Sequence, residues 1–237
     1  MDSCIRRNDR KRYTYTMNQV LLIDKPADWT SFDVVAKIRG AARTISGNKK
    51  IKVGHAGTLD PFATGLLIVL IGDETKKQDM YMKQDKEYET TLFLGAMSTT
   101  GDPEGEITPH EYKIPDQKDI STSLETLQGT ISQTPPIYSA IKVYGQRAYK
   151  LARAGEIPEM KPREVVIYKI ELLNYNFPQL KIRVNCSSGT YIRTLAEDIG
   201  KRLGCGAYLT TLRRTKIGEY RIEDALAIDK ALKKLAE

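Results

Sequence analysis

Apolar and polar positions change period several times along the chain, and the changes mark out elements. Val20–Asp24 (VLLID) reads as a short strand broken by Lys25-Pro26. Thr30-Ser31-Phe32-Asp33 has the T-x-x-D form of a capped helix start. Phe32, Val35, Ile38 and Ala42 then recur at helical spacing, Gly40 weakens the end, and Ser46-Gly47-Asn48 closes it in a loop. Lys52–Leu66 is glycine-rich and irregular, and the wholly apolar run Leu66–Ile71 (LLIVLI) after it reads as a buried strand. A helix through Met80 follows, then Tyr88–Leu94 (YETTLFL) alternates as a strand does.

Met97–Pro115, with STTGDPEGE and further prolines, reads as a long exposed loop. Ile120–Gln128 is predicted helical, and Arg163–Tyr175 pairs with Gln179–Cys186 around Asn176-Phe177-Pro178. Gly189 opens a helix whose apolar face is Ile192, Leu195, Ile199 and Leu203, with Gly204 just past its end. Ala207–Tyr220 reads as extended and Glu223–Leu235 as a final helix. Strands and helices interleave without a regular βαβ period, so the expected class is α+β, with a mixed, largely antiparallel central sheet flanked by helices.

Composition narrows the function classes. The chain has 237 residues, 41% of them hydrophobic and 28% charged, which fits a folded protein with a sizeable core. LLIVLI falls far short of the roughly 20 residues of a membrane span. Three widely spaced cysteines (Cys4, Cys186, Cys205) form no CxxC pair, which argues against a disulfide framework or a Cys-rich metal site and for a reducing cytoplasm.

Charge sharpens the reading. Lys and Arg number 37 against 30 Asp and Glu, for a net +7. Residues 1–16 (MDSCIRRNDRKRYTYT) read as a basic, disordered tail, with phosphate contact as the alternative; no apolar stretch behind them makes a signal peptide. Lys201–Lys216 (KRLGCGAYLTTLRRTK) contains no acid. Tyr138–Arg153 interleaves Lys142, Arg147, Lys150 and Arg153 with Tyr138, Tyr144 and Tyr149. Such mixtures suit looped RNA, whose phosphates meet cations and whose bases stack on rings; composition alone favours a solvated face with inward tyrosines.

Candidate chemistry converges on one stretch. His55 and His110 are the only histidines, no G-x-S-x-G elbow accompanies them, and no glycine-rich nucleotide motif is present. What remains is Gly54–Leu66 (GHAGTLDPFATGL). Its glycines permit close backbone approach, and Pro61 pushes Asp60 toward an extended conformation, leaving a carboxylate on a stiff loop beside a buried strand. An Asp-Pro in a glycine-rich loop is, by itself, usually a turn.

The length of that motif changes its meaning. GHAGTLDPFATGLL and LLIDKPADWTSFDVV closely resemble the TruB-type family of tRNA pseudouridine synthases. The likeness continues in order through KEYETTLFLGAMSTTGDPEGE, TPPIYSAIKVYGQRAYKLARAGE and CSSGTYIRTLAEDIGKRLGCGAYLTTLRRTKIG, over about residues 20 to 220. One departure is the absence of the glycine usual near Ala27 or Asp28.

The resemblance implies a cofactor-free isomerisation, without a metal, of the uridine at position 55 in the T arm of tRNA, which must be flipped out of its stack to react. It makes Asp60 the nucleophile and Arg193 its bidentate partner. Tyr88 stacks on the uracil, with proton transfer a second possible role. Tyr191 and Leu212 line the uracil site, and His55 fills the gap left by the base, with a base role as the alternative. The expected organisation is a catalytic domain over 17–225, an RNA-gripping insertion over about 134–164, and a C-terminal helix over 226–237 in place of the small PUA domain many relatives carry. Lys142, Arg147, Lys150, Arg153, Arg213 and Arg214 are candidate phosphate contacts. No membrane or protein partner is implied, and a cytoplasmic monomer is expected.

Overall fold

The structure, a computed structural model, describes residues 17–237; the basic tail and Cys4 lie outside them. The chain runs β1 (Gln19–Lys25), α1 (Ser31–Ser46), β2 (Val53–His55), β3 (Thr64–Ile71), a 3₁₀ turn, α2 (Gln78–Met82) and β4 (Lys86–Leu94). It continues through β5 (Ala96–Ser98), β6 (Ile107–Pro109), α3 (Gln117–Glu125), β7 (Gly129–Gln133), β8 (Lys142–Val143), β9 (Gln146–Arg147) and α4 (Ala148–Arg153). Then come β10 (Arg163–Asn176), β11 (Gln179–Cys186), α5 (Ile192–Arg202), β12 (Ala207–Ile217), β13 (Tyr220–Arg221) and α6 (Ile228–Ala236).

The main sheet has the order β1-β3-β12-β4-β11-β10-β7, with β2 on β3 and β13 on β12. The β12–β3 pair is parallel and its other strand pairs are antiparallel, so the expected mixed, largely antiparallel sheet flanked by helices is the observed fold. Among the described residues no helix is long and apolar enough to cross a membrane.

β3 explains the unbroken apolar run. Leu67, Val69 and Ile71 pack under α1 and α6, while Leu66, Ile68 and Leu70 pack against Ala56, Tyr81 and Ile217 on the opposite face. A strand covered on both sides has no polar position to alternate. β4 is covered on one side, and its alternation survives: Tyr88, Thr90, Leu92 and Leu94 are buried between half-buried neighbours. At α1 a reciprocal capping box joins Thr30 and Asp33, and Gly47 closes the helix in the left-handed conformation.

The structure corrects several expectations. The buried stripe of α1 is Ser31, Val34, Val35, Ile38 and Ala42; Phe32 sits off its edge, 60% exposed, beneath the Arg39 guanidinium at 5.3 Å. Residues 97–115 are more than a loop, because β5 and β6 pair within them. α5 starts at Ile192, since Gly189 (φ +87°) turns the chain first. The last helix starts at Ile228 because Leu226 is drawn into a parallel bridge with Ile23. Asp28 takes φ +64° where a glycine was missing, a conformation aspartate tolerates better than most residues.

Candidate active site

Three distant segments hold the loop that carries Asp60. Ser31, buried at the start of α1, clamps Leu59 from both sides: Oγ accepts from its N–H at 2.8 Å and donates to its carbonyl at 3.0 Å. Lys25, fully buried at the end of β1, donates Nζ to the carbonyls of Pro26 (2.8 Å), Trp29 (2.6 Å) and Pro61 (3.1 Å). The Asp28 N–H also reaches the Pro61 carbonyl at 3.0 Å. Burial, opposed mainly by the nearby Asp60 charge, lowers the Lys25 pKa to about 8.

Arg214 completes the frame from below. From β12 it donates Nε to Leu66 O (2.8 Å) and Nη2 to Gly57 O (3.0 Å). Only 1% exposed, it cannot be a surface phosphate contact. Gly65 is required here, because at φ +102° a Cβ would lie 2.3 Å from the Arg214 carbonyl. Arg213, on the other face of the same strand, is committed to Asp24 through two bonds of 3.0 and 2.8 Å, so it is no free cation either.

Arg193 occupies the second position of α5 and is 5% exposed. Its Nε meets Asp60 Oδ2 at 3.0 Å, Nη1 meets Asp102 Oδ2 at 3.2 Å and Thr100 O at 3.1 Å, and Nη2 donates to Tyr138 O at 2.8 Å. The pairing with Asp60 is therefore through one nitrogen, not the expected bidentate fork; the rest of the guanidinium is occupied by a second, buried carboxylate and two carbonyls. Asp102 escapes a reading of the sequence because it lies in a Gly- and Pro-rich stretch. A signal is nonetheless present: Asp102-Pro103 repeats the Asp60-Pro61 pairing of an acid with the proline that stiffens the chain after it.

Burial pushes the Asp60 pKa above the ordinary carboxylate range, and Asp102 reinforces the shift, against the opposing pull of Arg193, Lys25 and Arg214. Tyr88 is raised by burial, with Arg214 pulling the other way. His55 is lowered, first by burial and then by Arg214, which favours a neutral imidazole; its Nδ1 is buried without a hydrogen-bond partner. Lys86, also buried, falls to about 8 through desolvation and donates to the carbonyls of Met82 and Gln84.

Asp60, Arg193, Tyr88, His55, Tyr191 and Leu212 line one cavity of about 450 Å³, together with Lys86 and Ser187. The structure thus brings together every candidate drawn from the catalytic and base-binding motifs. Of the candidate phosphate contacts, Arg147 reaches the cavity wall, while Lys142, Lys150 and Arg153 are exposed on the insertion around it. Among the described residues no three His, Cys, Asp or Glu side chains converge as metal ligands. Cys186 and Cys205 are buried free thiols.

A carboxylate held by an arginine, in a cavity that Tyr88, Tyr191 and Leu212 also line, has the make-up of an enzyme site. Comparison with known proteins gives this class a family. The model for the TruB family pseudouridylate synthase N-terminal domain matches residues 43–192, and that for the tRNA pseudouridylate synthase B C-terminal domain matches residues 193–236. The chain belongs to the TruB family of pseudouridylate synthases. It is 50% identical over 214 residues to tRNA pseudouridine synthase B of Phocaeicola vulgatus, covering 89% of this chain and 90% of that one. The Thermobifida fusca protein of the same name is 45% identical over 221 residues, covering 89% of this chain and 73% of its own length. Among solved structures, a chain of a Cbf5-Nop10-Gar1 complex superposes with a TM-score of 0.69 at 29% identity, over 92% of this chain and 54% of that one.

Proposed function

We propose that the protein converts a uridine in the T arm of tRNA, at position 55, to pseudouridine, with Asp60 as the nucleophile once the base is flipped out. One observation carries this reading. The Asp60 carboxylate lies 3.0 Å from the Arg193 Nε, inside a cavity walled by two tyrosines and a leucine and large enough for a pyrimidine nucleoside. Asp60 bonds transiently to the uridine, the bond from N1 to C1′ breaks, the uracil turns over, and C5 bonds to the same C1′ as the bond to Asp60 is broken again. The hydrogen on C5 is lost as a proton and N1 gains one, so no oxidant or cofactor is consumed. A carboxylate needs no separate base to activate it. Arg193 fixes its direction and favours its ionised form, and burial makes the carboxylate more basic than an exposed one.

Tyr88, Tyr191 and Leu212 are placed to hold the uracil during its rotation, and neutral His55 at the cavity edge suits the space the base leaves. The organisation that follows is a catalytic unit of residues 17–225, a gripping insertion, and phosphate contacts at Lys142, Arg147, Lys150 and Arg153. The test is tritium release from C5-labelled tRNA. Wild-type protein releases tritium from a transcript with an intact T loop and none when the target uridine is replaced. Asp60→Asn should abolish release while retaining tRNA binding. Undiminished release by that variant, or free uracil among the products, overturns the proposal.

A further inference from the structure

α5 aims Arg193 at Asp60 and presents Tyr191 to the cavity, yet nothing in its own sequence caps it. Tyr191 is the N-cap residue and makes no side-chain cap bond. Uncapped N–H groups at a helix start need a partner from somewhere. The partner is Gln133, the 1%-exposed last residue of β7. Its Oε1 accepts from the Tyr191 N–H at 3.0 Å and its Nε2 donates to the Tyr191 carbonyl at 3.2 Å. One buried carboxamide thus satisfies both backbone groups of the residue from which α5 begins.

The cross-strand partner of Gln133 is Arg163, at the start of β10. Its guanidinium lies 5.0 Å from the centre of the Tyr191 ring and donates to the Gly189 carbonyl. Gly189 allows that approach, since a Cβ there would sit 3.2 Å from Arg163 Nη2 in a left-handed conformation. Residues 133 and 163 are also where the insertion leaves the sheet and returns to it. A third tie runs from inside the insertion, where Arg193 Nη2 donates to Tyr138 O at 2.8 Å.

The geometry points to Gln133 and Arg163 as a pair of positioning residues: the two roots of the insertion together hold the Gly189–Tyr191 turn and thereby set the direction of Tyr191 and Arg193. The insertion and the catalytic turn then share one anchorage. This rests on the isomerase reading above. Gln133 does not line the cavity and acts through α5, whereas Arg163 also reaches the cavity wall while it holds the Gly189–Tyr191 turn. A planar guanidinium can stack on a ring and donate in its own plane at once, which a lysine cannot do. A carboxamide both donates and accepts, which neither methionine nor a carboxylate can do.

The test measures single-turnover tritium release and tRNA Kd for Gln133→Met, Gln133→Glu, Arg163→Lys and the Gln133→Met/Arg163→Lys double variant. Gln133→Met should slow release about ten- to a hundredfold, as expected for a small misplacement of reacting groups, with Kd nearly unchanged. Gln133→Glu keeps the acceptor for the Tyr191 N–H and should recover part of the rate. Arg163→Lys should slow release too, and the double variant should be no slower than the slower single one, since both act on one turn. Unchanged rates, losses confined to Kd, or single effects that multiply in the double variant overturn the inference. So does a weaker salt dependence of binding in Arg163→Lys, which would make Arg163 a phosphate contact. If Gln133→Met fails to fold by circular dichroism, Gln133→Glu and partly exposed Arg163→Lys decide the matter by the same criteria. Wild-type protein that releases no tritium refutes the isomerase reading itself, a separate result.

Discussion

The two sides of the cavity are held by opposite means. The Asp60 loop is pinned by buried side chains from three elements far away in sequence: Lys25 from β1, Ser31 from α1 and Arg214 from β12. The insertion that supplies Ser139, Ala140, Ile141 and Arg147 to the opposite wall is tied chiefly to itself and at its roots. Its two-residue strands pair with each other, Ala148 N–H bonds Ile141 O at 2.8 Å, and Tyr144 and Ile157 stand 86% and 87% exposed. A reacting group gains from preorganisation, because small misplacements raise the barrier steeply. A surface that must fit a folded RNA gains from leaving its side chains free until the RNA arrives. On the proposed function the difference is one of task, and it can be broken or sharpened residue by residue.

The largest contrast should come from two glycines that both take positive φ. Gly65→Ala forces a Cβ to within 2.3 Å of the Arg214 carbonyl, across a backbone-to-backbone contact that cannot relax locally. It should destabilise the protein by more than about 4 kcal/mol. Gly145→Ala, at φ +81° in the β8–β9 turn with open space around it, should cost only the conformational term, about 1–2 kcal/mol. Urea titration of both variants measures the gap, and equal losses would mean that the two walls are equally constrained.

Next in size is the second carboxylate. Asp102→Asn removes the charge that shares Arg193 with Asp60 and leaves the guanidinium free to turn toward Asp60. Turnover should fall about ten- to a hundredfold with little change in KM, since the fault lies in aim rather than in grip. Asp102 also helps to raise the Asp60 pKa, so its loss lowers that pKa, and the acid limb of the rate profile should move to lower pH. A limb that stays in place would show that the two carboxylates do not communicate through Arg193.

Smaller still is the stability effect of Asp60, the proposed nucleophile. Asp60 has a raised pKa in the folded state, with burial the largest cause. The folded protein therefore holds this proton more tightly than the unfolded chain does. Above the ordinary carboxylate pKa the ionised group is a net cost to folding, and the cost disappears in acid below it. Asp60→Asn should accordingly have a higher Tm than wild type at about pH 7, with the difference shrinking as the pH falls toward about 4, the usual aspartate value. Calorimetry at both pH values checks the sign. A lower Tm at neutral pH would mean that the pairing with Arg193 outweighs desolvation.

Much of this site is legible in the amino-acid sequence, and what escapes does so for identifiable reasons. β3, β4 and α5 carry long unambiguous patterns, and Asp60, Arg193 and Tyr88 stand in motifs whose order along the chain is distinctive. Asp102 does not stand out because its importance lies in an ion pair with a residue far along the chain, while locally its Gly- and Pro-rich neighbourhood resembles any turn. Phe32 fits helical spacing but falls just outside the stripe that packing selects. Arg213 and Arg214 read as one basic patch because they are adjacent. On a strand adjacent residues face opposite ways, so one pairs with Asp24 at the surface and the other is buried under the Asp60 loop. Gln133 is invisible because a glutamine that caps a helix from another strand leaves no local trace.

That same alternation yields the smallest and most discriminating prediction. Lys142, Lys150 and Arg153 are exposed on the insertion, without a carboxylate partner among the described residues, whereas Arg213 is bound to Asp24. Cations that meet phosphates release counterions on binding, and cations already paired release few. Each of Lys142→Ala, Lys150→Ala and Arg153→Ala should therefore flatten the slope of log Kd against log salt by about one for each phosphate the native side chain neutralises. Turnover at saturating tRNA should stay near wild type, because none of the three lines the cavity. Arg213→Ala should leave the slope unchanged. If instead Arg213→Ala flattens it and the insertion variants do not, the RNA lies along the sheet side of the cavity, and the insertion is not the gripping wall.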